Sequence, residues 1–340
     1  MTIKAPQLWK NLSDITIETL RAPWYKHIAK LENTISCETY SFYREKGLIT
    51  MHLPITTGSI SSPMGRGSDS SPVKINLFGI DTYLADSMQF MLEYGCRIHA
   101  NGCYYVMPSF RGEAADQRHL CQFYHSEVEI PGTLEDIINL AEEYICHLAM
   151  AILKSNFEDI AAIAGDTKHI EQLICKKHFP RVTMDEAVKI FDEIATNEHL
   201  YDIDEKYGFR NINKAGEAFL MKKFGGMLWI THFDHLAVPF YQAYDESNTK
   251  ALNADLLLGI GEVIGAGQRH KNIGEVRYAL QNHAVDAGEY EWYMKMKSER
   301  PLQTSGFGMG IERFMLWVLK HDDIRDCQIL PRFNGIECTP

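Results

Sequence analysis

Two arginine-bearing stretches contain the residues most suited to chemistry. In the first, Arg111 is followed by Glu113, and after a short gap Arg118 precedes His119. The second is Gly306–Arg313, in which alternating glycines lead to an arginine. A rigid guanidinium group stabilises charge growing on a phosphate better than a mobile ammonium group, because it donates two parallel hydrogen bonds. Together the stretches predict a site that binds ATP and activates a carboxylate, with Arg111 as the candidate for the α-phosphate.

Further segments accompany these stretches in order along the chain. They are a helix leading to Pro54, the phenylalanine Phe123, GIGEVIGAGQR at 259–269, YEWYMKMK at 290–297 and a closing Ile-Leu-Pro-Arg that ends at Arg332. With the motifs FRGE, RHL and GFGMGIER, this order resembles that of the class II aminoacyl-tRNA synthetases, and most closely their asparaginyl and aspartyl branch. The resemblance covers about residues 25–332.

The pattern of apolar residues and turns predicts an α+β fold. Runs of strands with short turns between helical segments favour an antiparallel β-sheet flanked by helices, which the resemblance also implies. We expect an N-terminal extension at 1–24 and a catalytic domain at 25–340, with a helical insertion at 157–226. The predicted elements are helices at 25–46, 87–100, 134–153, 289–297 and 311–320, strands at 48–53, 103–110, 122–130, 227–231, 238–244 and 251–264, a mobile loop at 56–71 and a hairpin at 74–86.

The resemblance implies how ATP would be held. Arg111 would bind the α-phosphate and the carboxylate under attack, and Glu113 would accept a hydrogen bond from the adenine amino group. Arg118 and His119 would lie on the outer phosphates, where cationic donors stabilise the leaving pyrophosphate.

The same resemblance implies which residues would bind the adenine and a metal ion. Phe123 would stack on one face of the adenine and Arg313 on the other, as a cation over a π-system. Asp255 and Glu262 match acidic positions that hold Mg²⁺ against the phosphates. Arg111 and Arg313 are therefore the predicted catalytic residues.

Three positions are implied to recognise the amino acid: Ser87, Gln89 and Arg269. Where aspartyl enzymes carry a lysine three residues after the glutamine, this sequence has Leu92. The loss of that cation favours asparagine or another neutral side chain, although Arg269 alone can hold a carboxylate. Thr304 stands where the family usually has a histidine, which indicates an altered substrate.

Composition limits the partners. The 340 residues carry a formal net charge of −11, which argues against a broad nucleic-acid footprint because phosphate binding needs clustered lysine and arginine. Eight cysteines without a C-x-x-C pair favour reduced thiols and a cytoplasmic location. We expect no membrane association, since no apolar run reaches spanning length.

Only about two dozen residues precede the first predicted helix, too few for the anticodon-binding barrel of the asparaginyl and aspartyl enzymes. The first hypothesis is therefore a homodimeric, tRNA-independent ligase that adenylates an aspartate- or asparagine-like amino acid and passes the acyl group to ammonia or a small amine. It resembles the archaeal asparagine synthetase related to the asparaginyl branch. The alternatives are a minimal asparaginyl-tRNA synthetase or carrier-charging ligase, and a non-catalytic paralogue that senses an amino acid or nucleotide.

Overall fold

The computed structural model describes residues 3–12, 15–61, 71–194 and 198–337. Within them the helices are α1 Ile15–Arg21, α2 Pro23–Glu45, α3 Gln89–Ile98, α4 Leu134–Ala164, α5 Lys168–Ile174, α6 Met184–Asp192, α7 Lys214–Lys223, α8 Ile273–His283, α9 Glu291–Glu299 and α10 Ile311–Leu319. The strands are β1 Ile49–Thr50, β2 Thr56–Thr57, β3 Val73–Leu77, β4 Ile80–Leu84, β5 Cys103–Phe110, β6 Gln122–Pro131, β7 Arg181–Thr183, β8 Tyr201–Ile203, β9 Arg210–Ile212, β10 Met227–Thr231, β11 Asn253–Leu258, β12 Gly261–Gln268 and β13 Thr304–Gly310.

The main sheet has eight strands in the order β1-β5-β6-β13-β12-β11-β10-β7. Its central strands are antiparallel, and only the edge strands β1 and β7 pair in parallel. Apolar side chains of α2, α4 and α10 cover one face of this sheet and form the largest core cluster. This arrangement confirms the predicted α+β fold with an antiparallel sheet flanked by helices.

Helix α4 runs behind the sheet and supports the strands that carry the site. It begins at a capping box, in which Thr133 and Asp136 satisfy each other's backbone N–H groups. Its Tyr144 ring stacks on Tyr43 of α2 with centroids 5.0 Å apart and lies 5.8 Å from the ring of Phe307. Helix packing therefore fixes β13 from the core side.

The opposite face of β13 is almost bare, because its side chains there are glycines. Phe307 and Met309 point into the core, whereas Gly306 and Gly308 pair in register with Gly267 and Gly265 of β12. Side chains alternate between the faces of a strand, so these glycines share the face away from α4. They leave a floor without side chains.

The space over this floor is filled from the neighbouring strand. A Cβ atom at Gly306 would collide with the carboxylate of Glu129 and the carbonyl oxygen of Val128 on β6. At Gly308 an added Cβ would lie 3.3 Å from the side chain of Glu127. The glycine motif therefore makes room for acidic side chains of β6.

Several predicted elements differ from the structure. The strand predicted at 238–244 is wrong: Pro239 lacks an N–H group, its carbonyl accepts from Gln242 N in a turn at 3.1 Å, and only isolated bridges follow. The helix predicted to end at Leu153 continues to Ala164. The strand predicted at 48–53 is confined to β1, and a turn at Gly259 splits 251–264 into two strands.

Two further predicted segments have more structure than the sequence pattern indicates. The segment 157–226 begins inside α4 and contains β7, β8 and β9 beside its helices. In the loop predicted at 56–71, Thr56–Thr57 form β2, and positions 62–70 lie outside the described residues.

In the described part of the chain, no helix has the length and apolar character needed to cross a membrane.

Candidate active site

A cleft over the ends of β6, β12 and β13 brings the two arginine-bearing stretches together. Its empty volume, including the open mouth, is about 540 Å³. Six of the predicted ATP residues line it: Arg111, Arg118, His119, Phe123, Glu262 and Arg313. The two candidate catalytic arginines, about two hundred positions apart in the sequence, therefore face one common space.

Arg111 lines this cleft, just beyond the end of β5. Its backbone N–H donates to the carbonyl of Cys121 at 2.9 Å, and its guanidinium carbon is 5.5 Å from the centre of the Phe123 ring. Glu113 lies at the rim, with a carboxylate oxygen 4.0 Å from Arg111 Nη1. That carboxylate also accepts from the backbone N–H of Ser71 at 3.1 Å. The pairing of β5 with β6 thus places Arg111 against Phe123.

The loop between these strands is held by Asp116. Its Oδ1 accepts from the backbone N–H groups of Arg118 and His119 at 2.7 and 2.8 Å. Burial and the nearby charge of Arg313 lower the pKa of His119, although Asp116 opposes this shift. Arg118 Nη2 donates to Glu217 of α7 at 2.6 Å. The loop is therefore tied to the segment inserted between β6 and β10.

Arg313 is fixed from β12. Its Nη1 donates to the backbone carbonyl of Glu262 at 2.8 Å and lies 3.7 Å from that residue's carboxylate. Burial lowers the pKa of Arg313, and the charges of Arg111 and Arg118 act in the same direction, against Glu262. Three guanidinium groups thus converge on one cleft, which creates a strong preference for an anionic ligand.

Asp255 lies next to this cleft, on β11. An added Cβ atom at Gly265 would be 2.8 Å from Glu262 Oε1 and 3.9 Å from Asp255 Oδ1, so both carboxylates converge on that glycine. Burial, followed by the charges of Glu262 and Glu217, raises the pKa of Asp255 well above its usual range. Arg118 and Arg313 balance part of the charge of Glu217 and Glu262, whereas burial makes the ionised form of Asp255 costly unless a further cation lies nearby.

The residues predicted for the amino acid lie on other elements and contact Glu127, Glu129 or Tyr241. Arg269, 3% exposed, donates from Nη2 and Nε to the fully buried carboxylate of Glu129 at 3.1 and 3.2 Å. Its Nη1 donates to Gln242 Oε1 at 3.0 Å, and its guanidinium lies 5.5 Å above the ring of Tyr241. Gln89 contacts the same Tyr241. The structure therefore places Arg269 and Gln89 around one aromatic ring.

Ser87 joins this group through Glu127. Its Oγ donates to Glu127 Oε2 at 2.6 Å. Burial alone would raise the pKa of Glu127, but hydrogen bonds from His125 and Ser87 hold it below its usual value. Glu127 is therefore a buried, ionised carboxylate between the arginine cleft and Arg269.

A buried ion pair supports the Arg269 pocket from behind. Lys297 of α9 pairs with Glu93 of α3, and both side chains are 0% exposed. Lys297 Nζ also donates to the carbonyl of His270 at 2.6 Å, while Tyr293 OH donates to Glu93 at 2.8 Å. Helices α3 and α9 thus hold the backbone of His270, the residue after Arg269.

Five polar residues of this site were not predicted from the sequence: His125, Glu127, Glu129, Gln242 and Glu217. The first three follow Phe123 at a spacing of two on β6, so strand alternation could have found them. Gln242 belongs to the loop that had been predicted as a strand, and no periodic pattern marks it. Glu217 lies in the inserted segment and is likewise visible only in the folded chain.

The chain matches the model described as tRNA synthetases class II (D, K and N) over residues 11–334. This chain belongs to the class II tRNA synthetase family. As a class II synthetase it is assigned to the adenylate-forming ligases, which favours an enzyme over the non-catalytic paralogue.

Relatives of this class II synthetase are similar over most of the chain. The asparagine–tRNA ligase of Thermoplasma acidophilum is 27% identical over 92% of this chain and 70% of its own length. That of Koribacter versatilis is 28% identical over 88% of this chain and 66% of its own length. Among solved structures, Pyrococcus horikoshii asparaginyl-tRNA synthetase complexed with asparaginyl-adenylate superposes with a TM-score of 0.86 at 26% identity, covering 98% of this chain and 73% of that one.

Proposed function

We propose that this protein uses ATP to adenylate an asparagine- or aspartate-like amino acid and then transfers the acyl group to ammonia or a small amine. The observation that carries the proposal is the row of β6 side chains that joins two sites. Phe123 opens the row in the arginine cleft, and Glu129 ends it at Arg269. A nucleotide and an amino acid bound at the two ends would meet in the middle.

In this proposal the arginine cleft holds ATP. Arg111, next to Phe123, would bind the α-phosphate and stabilise the charge that develops there as the carboxylate attacks. Phe123 and Arg313 would enclose the adenine, and Glu113 at the rim would accept from its amino group. Arg118 would bind the outer phosphates, with His119 beside it.

The acidic residues beside the cleft fit a magnesium ion. Asp255 and Glu262 would hold it, because their carboxylates converge on Gly265 and hard oxygen ligands suit Mg²⁺. Within the described residues, no group of three His, Cys, Asp or Glu side chains is arranged to hold a metal alone. When bound, the ion would neutralise charge on the outer phosphates.

The charge balance around Arg269 supports a neutral side chain on the substrate. Glu129 already accepts two hydrogen bonds from Arg269, so the pair presents little net charge to a ligand. An amide offers both an acceptor for the remaining Arg269 donors and a donor for Glu129. Ser87, Gln89 and Glu127 would hold the amino-acid backbone.

The acceptor in the second step distinguishes two candidate functions. The acidic balance of the sequence, −11 overall, supports a small amine over a polyanion. The second candidate is a minimal asparaginyl-tRNA synthetase, and the names of the curated relatives favour it. Both candidates share the adenylation step.

Three assays on the intact protein test the proposal. Amino-acid-dependent exchange of pyrophosphate into ATP reports adenylation and should be strongest with asparagine-like substrates. Release of AMP with ammonia or amines, and charging of total tRNA, then identify the acceptor. Failure of exchange with every aspartate-like acid would remove the proposed function, whereas tRNA charging without amide formation would select the second candidate.

The resemblance in the α2–β1 region also supports a homodimer. Tyr40 of α2 is 44% exposed and Ile49 of β1 is 36% exposed in the single chain, so apolar surface is available there for a second copy. Sedimentation at micromolar concentration tests the dimer, and a monomer at that concentration would exclude it.

A further inference from the structure

His125 occupies the middle of the β6 row, between the two subsites. Phe123, His125, Glu127 and Glu129 share one face of the strand, and two residues of strand span about 6.8 Å. The His125 ring lines the arginine cleft and meets the Phe123 ring edge-on, with centroids 4.7 Å apart. Of this row, His125 is therefore nearest to the point where a carboxylate and an α-phosphate would meet.

The surroundings of His125 fix its proton. Nδ1 lies 2.9 Å from Glu127 Oε1 and 2.9 Å from Ser109 Oγ. Glu127 is 4% exposed and ionised, because hydrogen bonds hold its pKa low despite burial. A carboxylate at Nδ1 keeps the imidazole proton on that nitrogen, so Nε2 carries the lone pair. His125 is thus oriented as a base by a buried acid.

We propose that His125 is the general base of the acyl-transfer step, and the inference rests on the proposed function with an amine as acceptor. As the amine nitrogen attacks the acyl carbon, its C–N bond forms and the C–O bond to the phosphate breaks. The electron pair of that bond leaves with AMP. The proton lost by the nitrogen goes to Nε2 of His125, and from there to solvent.

The adenylation step does not need this base, because it transfers no proton: an ionised carboxylate displaces pyrophosphate. The two half-reactions should therefore respond differently to loss of His125. The effect of losing His125 on the transfer step should also depend on which amine is the acceptor. The adduct of hydroxylamine carries a much more acidic nitrogen than that of ammonia, so water alone can remove its proton.

The experiment compares His125→Asn and His125→Gln with the intact protein. Asn keeps a donor toward Glu127, and both variants lack a basic ring nitrogen. Three rates are measured near pH 7: pyrophosphate exchange, hydroxamate formation with hydroxylamine and amide formation with ammonia or a primary amine. His178→Asn, at a side chain 67% exposed, is the matched control.

We expect exchange and hydroxamate formation within about threefold of the unaltered protein, and amide formation reduced about 100-fold, the usual contribution of a general base. An equal fall in all three rates would show a structural role and overturn the inference. Unchanged amide formation would overturn it as well, leaving the proposed function intact. If the unaltered protein makes hydroxamate but no amide with any amine, the amine acceptor and the role of His125 both fall.

Discussion

Arg118 Nη2 lies 2.6 Å from Glu217 Oε2, which joins the loop after β5 to helix α7 across the cleft. The two side chains are 17% and 20% exposed, and they pass over Gly261, where any Cβ atom would collide with Arg118. The inserted segment thus reaches the place proposed for the outer phosphates. Glu217 holds the Arg118 guanidinium at this place.

Replacing Glu217 by Gln should weaken ATP binding with little effect on kcat. The neutral amide cannot orient Arg118 through a charge-assisted hydrogen bond, so the KM for ATP should rise roughly threefold to tenfold, about 0.7–1.4 kcal/mol. Pyrophosphate-exchange kinetics measure it. Glu205→Gln, on an exposed turn of the same segment, is the control. An unchanged KM would show that Glu217 does not position Arg118.

Asp255→Asn should stabilise the protein without magnesium while abolishing adenylation. The folded state raises the pKa of Asp255, through burial and the charges of Glu262 and Glu217. Its stability contribution is therefore present at low pH and is lost as pH rises through the folded-state pKa. The variant should gain more in Tm at pH 8 than at pH 5.

Thermal unfolding in the presence of a chelator measures this difference, with the 87% exposed Asp322 changed to Asn as the control. A gain of equal size at both pH values would contradict the charge argument. Added magnesium and ATP should stabilise the unaltered protein and leave the variant nearly unaffected.

Phe123→Ala should weaken ATP binding about tenfold, since a base stacked on an aromatic ring contributes roughly 1–3 kcal/mol. Phe123→Tyr keeps the ring and should bind ATP normally. Titration calorimetry with ATP measures both affinities. If the alanine variant retained full affinity, the adenine would have to lie elsewhere in the cleft.

Glu129 should make substrate choice depend on pH. Burial, with the charge of Glu93, raises its pKa to about 7, although Arg269 opposes this. At pH 6 Glu129 is protonated and neutral, so it no longer balances the charge of Arg269. The exchange rate with aspartate, relative to that with asparagine, should therefore rise as pH falls from 8 to 6. Glu129→Gln should favour aspartate at every pH, by about tenfold or 1.4 kcal/mol.

Pyrophosphate-exchange assays with aspartate and with asparagine, each at several pH values, give the ratio of the two rates. Gln242→Leu removes the other partner of Arg269 without adding charge and serves as the comparison. A ratio that is independent of pH in the unaltered protein would refute the assignment of Glu129.

The Glu93–Lys297 pair should be costly to break from one side. Lys297→Met leaves a buried, unpaired carboxylate and should lower the free energy of unfolding by about 3–5 kcal/mol. The double variant Glu93→Gln/Lys297→Met removes both charges and should lose less. Urea denaturation measures each value. The single variant Glu93→Gln is measured as well. If the loss in the double variant equalled the sum of the losses in the two single variants, Glu93 and Lys297 would not stabilise each other and the prediction would be wrong.

The sequence alone predicts much of the nucleotide end of the site. Arg111 and Phe123 lie on or beside predicted strands, and Arg313 lies in a predicted helix, although the strand before it, β13, was not predicted. Their assignment to one nucleotide site came from the resemblance of their motifs to those of the class II synthetases. At the other end, Gln242 comes from a loop whose apolar residues mimic a strand. Its contact with Arg269 depends on tertiary packing that no local pattern encodes.

The inserted segment shows the same limit more strongly. Its charged helices were predicted as a region packed beside the core, and nothing in that pattern distinguishes Glu217 from its acidic neighbours. Glu217 reaches the site because α7, on which it lies, packs against the main sheet. The alternation of Phe123, His125, Glu127 and Glu129, in contrast, was available in the sequence and would have identified the missing acids.

The glycines of β12 and β13 leave room for the side chains of β6, so one strand supplies much of the polar lining between the two proposed subsites. Because the odd positions of β6 lie beside different proposed subsites, from the adenine at Phe123 to the amino-acid side chain at Glu129, a single replacement in this row should alter one preference and leave the others undisturbed. Such a layout lets descendants of one ancestor acquire new substrates stepwise, while the machinery that consumes ATP is inherited whole.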